Sequence, residues 1–170
     1  VSPPQMPAPT MLPPQLAPVC VLAWAAAMAE VLDCQVKWPN DLITAGGQKL
    51  GGILAELSAE AERVRFVVLG VGINVNQTDF PGLPDATSLA RETGMPHDRA
   101  RLLARLVQAV EAVPTNGQPD LSAWRARSHT LGRRVRVGEV EGVATDVRDD
   151  GALIVDGHPV LAGDVSLVIE

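Results

Sequence analysis

The stretch that most restricts how this chain can fold is Gln35–Glu56, Q-V-K-W-P-N-D-L-I-T-A-G-G-Q-K-L-G-G-I-L-A-E. Pro39 holds the preceding Trp38 in the extended region and removes an amide donor, so Gln35–Trp38 reads as a strand that stops at the proline. Leu42–Thr44, the turn Ala45-Gly46-Gly47-Gln48 and Lys49–Leu57 then read as a hairpin. Such a hairpin returns Lys49 towards Asp41, with Asn40 beside them at the strand exit. Gly51-Gly52 weakens a strand interior unless a ligand or another backbone comes close there. A carboxylate, a carboxamide, an ammonium and bare backbone therefore meet at one edge. Two readings stand: an anion or nucleotide site, or an ordinary turn with a bulge. Lys37 and Lys49 are the only lysines of the chain, all its other Lys/Arg positions being arginine. Either a compact ammonium is wanted at both places, or both are solvated surface lysines.

The remaining sequence supplies a scaffold for that hairpin. With 170 residues, 46% hydrophobic and 20% charged, the chain can bury the core of one ordinary domain and a small second one. A net charge of −6 argues against a broad basic face for nucleic acid. Cys20 and Cys34 have no metal or disulfide-scaffold spacing, His97, His129 and His158 are scattered, and no signal-peptide pattern is present, which points to reduced thiols in the cytoplasm. The first residue is Val1 rather than Met, so a fragment or trimmed chain is expected.

Val1–Pro18 is dense in proline and is expected to be extended. Ala17–Leu32 is apolar and Ala-rich; its uncharged run falls short of the roughly 18–20 residues of a membrane span, and it reads as a helix against a sheet. Arg63–Val71 contains F-V-V-L-G-V, a run without alternation that predicts a central strand covered on both faces. It ends in Gly70-Val71-Gly72-Ile73-Asn74, where paired glycines either admit a ligand to the backbone or make a tight bend. Asn76–Ser88 is a polar loop of the length associated with lids. Arg99–Val113 reads as a helix capped by Asp98, with the buried stripe Leu102, Leu103, Leu106, Val107 and Val110. Leu121–Arg127 reads as a shorter helix. From Gly132 onward, short β runs (Arg133–Val137, Gly142–Val147, Ala152–Val155, Pro159–Leu161, Val165–Ile169) alternate with turns and read as a small SH3-like barrel.

These residues resemble the biotin–protein ligases. K-W-P-N-D-L at Lys37–Leu42, K-L-G-G-I-L-A-E at Lys49–Glu56, G-V-G-I-N at Gly70–Asn74 and A-T-S-L at Ala86–Leu89 follow the family's motifs in order and spacing. The resemblance extends from about Leu16 to the terminal β region. It implies an α/β (α+β) fold: a mixed β-sheet with packed helices of the biotin/lipoate ligase type in a partial catalytic domain, residues 1–130, then the SH3-like barrel at 131–170.

The resemblance also implies a two-step reaction. The biotin carboxylate attacks the α-phosphate of ATP, giving biotinyl-AMP and pyrophosphate, and a lysine of a biotin carboxyl carrier domain then takes the biotinyl group. A carboxylate is already ionised at pH 7, so the first step needs no general base; the obstacle is bringing two anions together. By the motif match Lys49 is catalytic, between the biotin carboxylate and the α-phosphate, and Asp41 holds Mg²⁺. Asn40, Asn74 and Lys37 lie on the nucleotide side. Gly52 and Leu54 line the biotin pocket, Gly70 and Gly72 let the ligand approach the sheet, and the loop up to Ser88 covers the adenine.

The implied ligands are ATP, Mg²⁺ and biotin, with no tightly bound prosthetic group. The implied partners are a carrier domain and a second copy paired through sheet edges, with neither nucleic acid nor membrane. The family's biotin-gripping G-R-G-R-x-G loop has no copy in this sequence, and Gly132-Arg133-Arg134-Val135-Arg136 reads as the barrel's first strand instead. Val168 stands where some members carry an arginine. Two alternatives follow: a non-catalytic piece that binds nucleotide or docks a carrier domain, and a relative of the lipoate–protein ligases.

Overall fold

The computed structural model describes residues 16–60, 63–115 and 117–168, with side chains other than those of 57–65. Helix α1, Ala17–Leu32, carries Pro18 in its first turn, where the missing amide hydrogen has no partner to lose. Pro18 was expected in an extended segment, and this is the reason it is helical; residues 1–15 lie outside the described residues. The alanines of α1 let it approach closely, so that Ala23, Ala25, Ala26 and Ala29 are buried with Trp24 and Met28.

Four strands follow: β1 Gln35–Lys37, β2 Asp41–Ile43, β3 Lys49–Glu60 and β4 Arg63–Ile73, in the order β1-β2-β3-β4. All three ladders are antiparallel, as short hairpin connections require. The expected mixed sheet is thus antiparallel in its named strands, and parallel contact is confined to the single bridges Val36↔Ser128 and Lys49↔Ala86.

One face of this sheet packs on the helices. Val36, Leu42, Leu50 and Ile53 are buried there against α1 residues such as Met28. The short α2, Leu89–Thr93, is capped by Ser88; α3, Arg99–Glu111, is capped by Asp98, whose carboxylate accepts from the Ala100 and Arg101 amides. The stripe expected on α3 is only partly covered: Leu102 and Leu106 are buried, but Leu103 is 61% exposed. β4 also departs from expectation. It is an edge strand among the described residues rather than a central one. The pleat sends Val67 and Leu69 towards the core and Phe66, 57% exposed, and Val68 to the uncovered face.

Helix α4, Ser122–Ala126, leads to a second antiparallel sheet: β5 Arg134–Val137, β6 Val140–Val147, β7 Leu153–Val155, β8 His158–Val160 and β9 Val165–Leu167, in the order β8-β7-β6-β5-β9. Its period-two pattern buries Val135 and Val137 and leaves Arg134 and Arg136 outside, both paired with Glu141 at 3.1 and 2.7 Å. The two sheets share core contacts. The Trp38 indole donates to the Gly151 carbonyl at 3.0 Å, and Trp124 is buried. Cys20 and Cys34 are buried and unbridged. Among the described residues no helix is long and apolar enough to cross a membrane.

Candidate functional site

Register assembles the site. Lys37 lies opposite Asp41, Asp41 opposite Gly52, and Gly52 opposite Gly72. Directly opposed residues share a face, so these four form one row across the sheet, on the side that the helices leave open. Leu54 and Gly70 oppose each other in the next such row. Six of the nine residues singled out from the sequence thus lie on one surface.

Lys49 joins them. Its ammonium lies 2.6 Å from Asp41 Oδ1, with the lysine side chain 52% exposed and the aspartate 19%. Its main chain is clamped by the end of the long loop: the Lys49 amide donates to the Asp85 carbonyl at 2.6 Å, and its carbonyl accepts from the Thr87 amide at 2.9 Å. The lysine is therefore held at its base and free to reorient at its tip. A β-carbon placed on Gly52 would stand 3.4 Å from Asp41 Oδ1 and 3.8 Å from Lys49 Cε, so a side chain there would crowd the ion pair.

Asn40 and Asn74 flank this row and serve the main chain. The Asn40 amide donates to the Ile53 carbonyl at 2.8 Å, and the Ile53 amide donates back to the Asn40 carbonyl at 2.9 Å. The Asn74 side chain donates to the Thr87 carbonyl at 3.0 Å, which fixes the loop over the end of β4. Thr87 and Asp85, given no role from sequence, thus position both Asn74 and Lys49. The signal for Thr87 was its place in the A-T-S-L motif; Asp85 gave none.

At the other end of the row, His129 is 4% exposed. Its Nδ1 lies 2.8 Å from Gln35 Oε1 and its Nε2 lies 3.0 Å from an Arg133 nitrogen. Arginine only donates, so Nε2 must accept, and Nδ1 carries the proton to Gln35. Burial, then the charges of Arg133 and Lys37, lower its pKa from the ordinary 6.5. As pH falls the unfolded chain takes up this proton first, so the stability tied to neutral His129 is present above about 6.5 and lost below it. The thermal midpoint is expected to fall on going from pH 7 to pH 5, and to fall less in His129→Gln. Equal falls in both proteins would rule this out.

Asp41 is the carboxylate of this row that could meet a metal ion. Among the described residues no three His, Cys, Asp or Glu side chains gather as ligands. Asp41 alone suits Mg²⁺ only where phosphate oxygens complete the shell, which is how that ion is commonly bound. Asp41 fits a metal that arrives with a nucleotide.

Residues 8–74 match the biotin/lipoate A/B protein ligase family. The chain is 46% identical over 143 residues to the biotin–[acetyl-CoA-carboxylase] ligase of Mycobacterium tuberculosis, an alignment covering 76% of this chain and 52% of that protein. It spans about half the length of the curated relatives it matches. The fold matches the apo structure of the biotin protein ligase of Aquifex aeolicus with a TM-score of 0.69 and 25% identity, over 91% of this chain and 76% of that one. The same ligase in complex with biotin and ATP matches with a TM-score of 0.69 and 23% identity, over 94% and 76% of the two chains.

Proposed function

Since this chain belongs to the biotin/lipoate A/B protein ligase family and, within it, with the biotin–protein ligases, we propose that it carries the adenylating site of such a ligase, joining biotin to AMP and then to a lysine of a carrier domain. The observation that carries this reading is the Lys49–Asp41 pair on an open face floored by Gly52, Gly70 and Gly72. An ammonium lies beside bare backbone where two anions could be brought together.

In the first step an oxygen of the biotin carboxylate bonds to the α-phosphorus of ATP, the bond from that phosphorus to the β-bridging oxygen breaks, and pyrophosphate leaves with the electron pair. No proton moves. Lys49 has the reach to leave Asp41 and stand between the carboxylate and the α-phosphate, offsetting their repulsion as they close. Asp41, relieved of its lysine, would hold Mg²⁺, which screens the phosphates. Gly52 and Leu54 offer backbone and apolar surface to the biotin rings, and Gly70 and Gly72 keep the floor low. Asn40 and Asn74 hold the edges of the site and lie within reach of the nucleotide, and the loop ending at Ser88 is placed to cover adenine.

We read the second sheet as the family's SH3-like barrel, its short strands and tight turns supporting this, and residues 1–130 as catalytic. The apolar edge strand β4 suits pairing with a second copy. Unbridged Cys20 and Cys34 suit the cytoplasm.

The test is biotin-dependent exchange of labelled pyrophosphate into ATP with Mg²⁺. Exchange that needs biotin supports the reading, and exchange supported by lipoate instead moves the chain to the lipoate–protein ligases. A folded chain that binds ATP without exchange would be a nucleotide-binding piece.

A further inference from the structure

We propose that His129 is a positioning residue for Lys49: its neutral ring, held between Gln35 and Arg133, sets the turn of the β2–β3 hairpin from which Lys49 projects. The inference rests on the adenylating role proposed above for Lys49, and it adds a residue that no motif marked.

His129 meets three parts of the chain at once. Its Nδ1 donates to Gln35 on β1 at 2.8 Å, and its Nε2 accepts from Arg133 at 3.0 Å. Arg133 is itself tied into the second sheet, its carbonyl accepting from the Ala144 amide at 2.9 Å. The third neighbour is the hairpin turn. A β-carbon placed on Gly47 would stand 3.6 Å from His129 Nε2 and 3.8 Å from its Cε1, so little more than a single carbon separates turn from ring. Gly47 has φ +85°, which residues with a β-carbon rarely adopt. The turn therefore presents bare backbone to the imidazole.

The turn passes this contact on to Lys49. The Thr44 amide donates to the Gln48 carbonyl at 2.8 Å, and the Gly47 amide donates to the Thr44 carbonyl at 2.9 Å. The Gln48 amide donates to Thr44 Oγ1 at 3.1 Å. A turn bonded in this way moves as one piece, and Lys49 follows Gly47 by two residues, so a shift at Gly47 is a shift at the base of Lys49. The ring is anchored on its own side as well. The His129 amide donates to the Val36 carbonyl at 2.8 Å, and the Val36 amide donates to the Arg127 carbonyl at 3.0 Å.

The surroundings of the ring select its neutral form. His129 is buried, and the charges that act on it are Arg133, from just before β5, and Lys37, from β1, both positive. The turn residues Ala45-Gly46-Gly47-Gln48 carry no charge. A second proton would sit on Nε2, facing the Arg133 donor; it would break that bond and set a new positive charge against both cations. A leucine would fill similar space without fixing an orientation, whereas a buried polar ring with both nitrogens satisfied fixes one. The hairpin is thus set while His129 is neutral and loosened when the ring is charged, which happens only below the ordinary 6.5 of a histidine.

Two measurements on the 170-residue chain, each made at pH 7.5 and pH 5.5, test this. The first is biotinyl-AMP formation with Mg²⁺. At the lower pH the parent's rate at saturating biotin and ATP is expected to fall about ten-fold, within the roughly hundred-fold that a misplacement of about 1 Å can cost, with both half-saturating concentrations unchanged. His129→Gln keeps a donor and an acceptor but has no proton to gain, and should lose this pH dependence. His129→Leu should be slow at both pH values; if it fails to fold, the parent and His129→Gln still carry the test. The second is amide hydrogen exchange by NMR. The Lys49 amide, bonded to Asp85, should lose protection at pH 5.5 relative to the Ile53 amide, bonded to Asn40, in the parent but not in His129→Gln. Matching pH profiles for the parent and His129→Gln, or Lys49 protection indifferent to His129, would overturn the proposal. Lys49 protection that follows His129, in a chain that makes no biotinyl-AMP, would keep the positioning of the hairpin and discard the adenylating reading.

Discussion

Lys49→Ala is expected to lower the rate of biotinyl-AMP formation by roughly two to three orders of magnitude, the effect of about 3–4 kcal/mol when a preorganised partner of a developing anion is removed. Stability should hardly change. The pair with Asp41 is largely exposed on the lysine side, and exposed ion pairs contribute less than about 1 kcal/mol. The loss should fall on the chemical step rather than on protein yield or melting temperature. Lys49→Arg is expected to be a poor substitute. A planar guanidinium beside Asp41 would favour a bidentate hold on that carboxylate, keeping both groups in the resting pair instead of releasing the cation to the reacting anions. Single-turnover formation of biotinyl-AMP, followed by chromatography on the parent chain and both variants, makes the measurement. Retention of more than a tenth of the parent rate by Lys49→Ala would remove Lys49 from the chemistry.

Gly51→Ala should act on the fold instead. A β-carbon at position 51 would lie 2.2 Å from the Gly72 carbonyl oxygen and 3.1 Å from the Ile73 α-carbon. Both are backbone atoms of the paired strand, so neither can swing aside as a flexible side chain would. Relief requires β3 and β4 to part at the end of the sheet that bears the site. We expect a loss of about 3 kcal/mol, at the upper end of what overfilling a packed interior costs, and a melting temperature lower by roughly 6–12 °C at about 2–4 °C per kcal/mol for a chain of this size. Gly72→Ala is the informative contrast. Its added carbon would meet nothing nearer than the Gly52 carbonyl oxygen at 4.0 Å. Stability should therefore survive Gly72→Ala while the open face gains a methyl group where the ligand is to lie. Equal melting temperatures for the Gly51 and Gly72 variants would contradict this division of labour.

The two glycines show where sequence reasoning stopped. A Gly-Gly pair in a strand announces that something approaches the backbone, but not what. For Gly51 it is the neighbouring strand, and for Gly52 it is the open face beside Asp41 and Lys49. The two residues point to opposite sides of the same pleat. The asparagines divide in a similar way: their motifs marked them for nucleotide, yet the amide nitrogens of Asn40 and Asn74 are spent on the Ile53 and Thr87 carbonyls. Asymmetric burial of β4 and α3 also escaped the sequence. A run of valines reads alike whether one face or both are covered, and the cover is supplied by other parts of the chain.

By itself the sequence determined what local chemistry can determine. Pro39 stopped a strand, Gly46-Gly47 turned a hairpin, Asp98 capped a helix, and the short turn brought Lys49 back towards Asp41, although the register shift between Leu42 and Ile43 sets Gly52, not Lys49, opposite Asp41. Only the tertiary structure decided which residues share a face over longer separations. The row Lys37, Asp41, Gly52, Gly72 is a fact of strand register. The contact of His129 with Gln35 on β1 spans more than ninety residues of chain. No periodicity encodes such a meeting, because it follows from how the helices and the second sheet pack to bury Trp38 and Trp124.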